Sequence, residues 1–153
     1  MRYSMETAAN RQRAGHWRDN LARGYLGAAI MLVVEFALGI GVNLYVSVPT
    51  GKGVGQAFSN GALLVVHTVF GLLLVLAAVS MVVRAVIARH RPSIALSVIG
   101  LLAILAAAGS GASFVNDGTN GASLGMALAT GVALLCYVIG LFVVGRPDPA
   151  GSA

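Results

Sequence analysis

Four long runs of apolar side chains, separated by short breaks that carry Gly, Asn and Pro, constrain this chain more than any other feature. They cover residues 24–46, 61–88, 93–115 and 123–145. Each exceeds the roughly 18–20 residues an α-helix needs to cross a bilayer. Only 10% of the 153 residues are charged and the mean hydropathy is +0.86, whereas a soluble domain has about 25% charged residues. So little polar surface could not clothe a helical core in water. The expectation is an all-α integral membrane four-helix bundle, antiparallel and up-down-up-down. A basic cytoplasmic or interfacial segment (1–23) precedes it and a cytoplasmic tail (146–153) follows.

The cations are unevenly placed. Arg2, Arg11, Arg13, Arg18 and Arg23 precede the first span, Arg84, Arg89 and Arg91 flank the second connection, and Arg146 follows the fourth span. Lys52 alone falls in the opposite loops. The positive-inside rule puts both termini and the second connection in the cytoplasm of a bacterial cytoplasmic membrane. The net charge of +5 is accordingly no pointer to nucleic acid. The arginines, with Trp17, Leu21 and Tyr25 at helical spacing, are expected to lie on anionic lipid headgroups.

The first run is too long for the apolar region of a signal peptide and is interrupted by Glu35, so a retained first helix is expected. "GKGVG", residues 51–55, lacks the Walker pattern and any preceding strand, and reads as a flexible loop. Ser59 or Asn60 is a candidate cap for the second helix, and Pro92 suits the first turn of the third. Ala103, Ala107 and Gly111 on the third run, and Gly121, Gly125, Ala129 and Ala133 on the fourth, predict a tight antiparallel hairpin. Cys136 is alone, so no disulfide forms within one chain; it reads as a small buried hydrophobe.

The polar residues inside the spans carry whatever chemistry there is. A charged group at mid-bilayer costs about 2.5–3.5 kcal/mol on insertion scales and therefore faces the bundle interior. Glu35 lies near the centre of the first span. Asn43 lies about 12 Å further out on the same slowly rotating face, and His67 enters the second span near the depth of Asn43. Ser110, Ser113 and Asn116 end the third span; Ser123 and Thr130 begin the fourth. Together they predict an outward-facing ligand-binding or proton-handling pocket made by Glu35, Asn43 and His67 and closed by the ends of the last two helices. Interhelical hydrogen bonding, at about 1 kcal/mol per bond, is the competing role for each. His67, with Gly71 one turn on, could also serve as an axial haem ligand. No tetrahedral zinc spacing and no Ser-His-Asp motif is present.

"EFALGIGVNLYVSVP", "HTVFGLLLVLAAVSMVVRAV" and "GSGASFVNDG" together resemble small four-helix membrane proteins of high-GC bacteria. That resemblance spans residues 24–145 but brings no established activity. Glu35 is similar in placement to the helix 1 glutamate of small multidrug resistance transporters, which implies alternating proton and substrate binding. The His67-x-x-x-Gly71 unit resembles haem-binding four-helix bundles, where a second histidine would have to come from another copy in a homodimer. The function expected is non-enzymatic: a pocket for lipid, quinone or haem, or an accessory subunit of a larger membrane complex. Proton-coupled transport through Glu35 is the alternative, and a redox protein with haem on His67 the second.

Overall fold

The computed structural model describes residues 2–46, 61–117 and 120–145, with side chains from residue 15 onward except that of Asp117. Four α-helices make up this part of the chain: α1 (Arg2–Tyr45), α2 (Ala62–Ile87), α3 (Arg91–Asp117) and α4 (Asn120–Gly145). Each contains a stretch long and apolar enough to cross a membrane, Gly15–Tyr45 on α1 and almost the whole of the other three. α1 runs unbroken through residue 23, the end of the expected N-terminal segment. The polar residues before that point are thus continuous with the span.

The helices form a square. α1 packs on α2 and α4, α3 packs on α2 and α4, and the most extensive contact joins α3 to α4. The expected hairpin of the last two helices is therefore present. Most of its small residues do what such stripes do where lipid supplies no hydrophobic drive, letting van der Waals surfaces meet closely, although Gly121 is exposed. A Cβ added to Gly125 would lie 3.1 Å from Ser110 Oγ, and one added to Gly111 would lie 3.5 Å from Met126 Sδ.

Core positions recur at alternating steps of three and four residues, the seven-residue period of left-handed helix packing. One residue from each helix contributes to each level. Counting from the arginine-bearing end, the first comprises Leu21, Ala85, Ser93 and Val144, and the second Tyr25, Met81, Ser97 and Gly140. Ala28, Ala78, Gly100 and Tyr137 make the third, and Leu32, Leu74, Ile104 and Ala133 the fourth. Every one of these residues is buried.

Close approaches fix the register. Gly140 lies under the ring of Tyr25, Gly24 lies against Met81, and a Cβ on Gly100 would come 3.0 Å from Tyr137 Cζ. The Tyr25 and Tyr137 rings meet at 6.0 Å between centroids, tilted by 53°. Tyr25 also reaches across the diagonal of the square. Its hydroxyl donates to Ser93 O at 3.0 Å and lies 3.1 Å from Ser97 Oγ.

Leu21 and Tyr25 are thus 1% and 0% exposed. Of the stripe expected to lie on headgroups, these two residues turn inward instead, because α1 continues into the bundle with its apolar seam facing α2 and α4, while Trp17 keeps part of its surface. Lipid meets the other faces: Leu44, Ile87 and Phe142 are 66%, 76% and 70% exposed, a surface that water would not tolerate.

The α2–α3 turn closes tightly. Ala88 N–H donates to Arg84 O and Arg89 N–H to Val86 O, both at 3.0 Å. Arg89 then takes φ 53°, the left-handed conformation that commonly ends a helix. His90 O accepts from Ile94 N–H, and His90 Nδ1 lies 2.8 Å from Ser93 Oγ. Pro92 falls in the first turn of α3 as expected. Ser59 and Asn60 lie outside the described residues. α2 instead starts after Gly61, which makes no side-chain capping bond.

Candidate functional site

Beyond the Leu32 level the core changes character. The fifth level comprises Glu35, Gly71, Ala107 and Thr130, the sixth Gly39, His67, Gly111 and Met126, and all eight retain accessible surface. Past them Val42 and Leu64 are buried again, with Val46, Leu63 and Val115 packed around them. Two levels of small and polar side chains are thus enclosed between apolar ones.

Glu35 and His67 meet there. His67 Nδ1 stands 3.2 Å from Glu35 Oε1, with side chains 20% and 14% exposed respectively. The distance suits a hydrogen bond but the alignment does not: His67 Nδ1 and Glu35 Oε2 are buried and have no hydrogen-bond partner. The contact is therefore electrostatic, an ion pair when the imidazole is protonated. Each polar side chain sits on a glycine of the facing helix. A Cβ on Gly71 would lie 2.7 Å from Glu35 Oε1, and one on Gly39 would lie 3.4 Å from His67 Cε1. The two units Glu35-x-x-x-Gly39 and His67-x-x-x-Gly71 interlock antiparallel, each supplying one charge-bearing group and one socket.

His67 consequently lies level with Gly39, deeper than its expected place beside Asn43. Val46 packs on Gly61, so the ends of α1 and α2 are level, and Gly39 and His67 are similarly distant from them. Asn43 is exposed while Val42 beside it is buried. Seven residues return an α-helix to within about 20° of its starting direction, whereas eight overshoot by about 80°. The seam through Glu35 therefore continues to Val42.

The remaining candidate residues are dispersed. Ser113 and Asn116 are exposed, and Ser110 is half-buried beside Gly125. Thr130 shares the level of Glu35, but its hydroxyl donates to Met126 O of its own helix at 2.8 Å. Among the described residues no group of three metal-ligating side chains occurs.

The Tyr25–Ser93–Ser97 cluster, with the buried and unpartnered Tyr137 hydroxyl nearby, did not emerge from the sequence. The four-residue spacing of Ser93 and Ser97, repeating that of Leu21 and Tyr25, was the available signal.

The fold defines a small four-pass integral membrane protein, with a carboxyl–imidazole pair held within the bundle. Comparison with family models, curated proteins and solved structures finds no match to this chain.

Proposed function

We propose that the Glu35 and Gly39 levels form a binding site for the polar head of a lipophilic ligand, of quinone or lipid class, in a non-enzymatic membrane protein. The observation that carries this reading is the pairing itself: two ionisable side chains brought to 3.2 Å from different helices, each with a buried polar atom lacking a hydrogen-bond partner. An imidazole N–H can donate to a quinone or ester carbonyl, and a carboxylate can accept from a hydroxyl. The pair itself occupies the space over Gly71 and Gly39, so a ligand head would meet it from the side of α3 and α4. The buried Leu32 level closes the site toward the arginine-bearing end, and Val42 and Leu64 cover its α1–α2 side at the other, so a ligand would enter between helices or past the outer ends of α3 and α4. The arginine bias supports both termini being cytoplasmic, with the site opening outward in a bacterial cytoplasmic membrane. Such a site also suits an accessory subunit that presents a bound ligand to a larger complex.

The test is saturable binding of a short-chain quinone to the protein in nanodiscs. Glu35→Gln and His67→Ala are each expected to weaken binding about tenfold, corresponding to roughly 1.4 kcal/mol. Absence of saturable binding, or unchanged affinity in both variants, overturns the assignment.

Proton-coupled transport through Glu35 is a second reading, favoured by the imidazole against the carboxyl. It requires proton release on ligand addition that Glu35→Gln abolishes. Haem fits less well. His67 Nδ1 faces Glu35, which leaves Nε2 to ligate iron, but the other two histidines of the chain, His16 and His90, lie toward the arginine-bearing end, so a second axial histidine would have to come from another copy.

A further inference from the structure

At the arginine-bearing end, Trp17, Asn20 and Leu21 of α1 and Arg84, Ile87 and Ala88 of α2 enclose a groove of about 150 Å³. Its chemistry is divided. Leu21, Ile87 and Ala88 are apolar, whereas Asn20 and Arg84 bring an amide and a guanidinium. Arg84 lies along α1, its Nη1 3.6 Å from the Cβ position of Gly24, and no carboxylate among the described residues pairs with it. Trp17 is held in place by His90, with ring centroids 5.6 Å apart and a tilt of 37°.

We propose that this groove binds the phosphate headgroup of an anionic phospholipid. Arg84 donates to the phosphate oxygens, the Asn20 amide donates to a phosphate or glycerol oxygen, and an acyl chain follows the exposed surface of Val83 and Ile87. Charge complementarity selects an anion, because Arg18, Arg23, Arg89 and Arg91 surround this end of the bundle and Asp19 is the one carboxylate nearby among the described residues. Depth selects a lipid over a free anion. Arg84 lies inside the membrane-spanning stretch Ala62–Ile87, one turn from its end. Lipid phosphates lie at that boundary, and the groove's apolar wall gains from an acyl chain but not from a hydrated ion. Trp17 at the same level is the amphipathic ring expected at a headgroup boundary. The site is separate from the Glu35–His67 pair and independent of its role.

The experiment uses the full chain, delipidated in detergent, with phosphatidylglycerol, phosphatidylcholine or inorganic phosphate added in turn. Thermal unfolding and native mass spectrometry are the readouts. Phosphatidylglycerol is expected to raise the melting temperature saturably and to remain bound as discrete adducts; the other two additives are expected to do neither. Arg84→Gln should weaken the apparent affinity at least fivefold, and Asn20→Ala, at an exposed position, should weaken it less. Lys52→Gln, in the α1–α2 connection and away from the groove, should leave it unchanged. Equal response to phosphatidylcholine or phosphate overturns the proposal, as does full affinity in both groove variants. If Arg84→Gln does not fold, Asn20→Ala alone decides.

Discussion

Glu35 and His67 each rest on a glycine four residues from the other's position, Glu35 Oε1 against Gly71 and the His67 ring against Gly39. The carboxyl and the imidazole touch because neither facing helix has a side chain in the way. The contact is a property of two glycines as much as of the two polar groups.

Gly71→Ala tests that dependence. The new methyl would stand 2.7 Å from Glu35 Oε1, and the flexible carboxylate can move aside. Helix propensity favours alanine by about 1 kcal/mol, so thermal stability should hold or rise. Quinone affinity should nevertheless fall about fivefold, roughly 1 kcal/mol, because the displaced carboxyl no longer stands beside the imidazole. Parallel melting and binding curves check this, and a loss of stability without a loss of binding would contradict it.

Gly140→Ala should behave in the opposite way. Its methyl would overlap the Tyr25 ring, which is fully buried and hydrogen-bonded on α3. Overpacking of this kind costs about 1–3 kcal/mol. Tyr25→Leu removes the obstruction, so a double-mutant cycle should show coupling above about 1 kcal/mol. Additive effects in detergent unfolding would mean that Gly140 and Tyr25 do not meet.

Val42 and Asn43 separate the two possible continuations of the α1 seam. Val42→Ala should cost about 1 kcal/mol through lost packing, and Asn43→Ala should stay within about 0.5 kcal/mol. Reversal of that order, measured by chemical or thermal unfolding, would move the seam to Asn43.

Lys52 is the sole lysine of the chain, so orientation can be read from one amine. A membrane-impermeant amine reagent applied to intact cells should modify Lys52, and Lys52→Arg should abolish that peptide's labelling. Labelling that appears only after lysis would reverse the orientation proposed from the arginines.

The tightest packing of the bundle was legible in part. The small residues of α3 and α4 marked a close pair because Gly and Ala in an apolar span have no other evident use. The isolation of Glu35 and His67 as intramembrane ionisable groups was equally plain, since the other charge-bearing side chains of those helices lie toward the arginine-bearing end. Which neighbours they have was not. In a soluble helix the polar face reveals the buried one, but here lipid and core are both apolar, and the amphipathic signal nearly vanishes. Leu32 and Val33 look alike in the sequence, yet they are 2% and 55% exposed.

By itself, then, the amino-acid sequence determined the membrane, the number of crossings and the polar residues that had to be accommodated. All of these follow from the cost of placing polar groups in hydrocarbon. The tertiary structure decided the seven-residue register. That register turned Tyr25 inward, left Asn43 outside and set His67 opposite Gly39, within reach of Glu35. These outcomes depend on which side chains leave room for a neighbouring helix, and that is a property of pairs of surfaces.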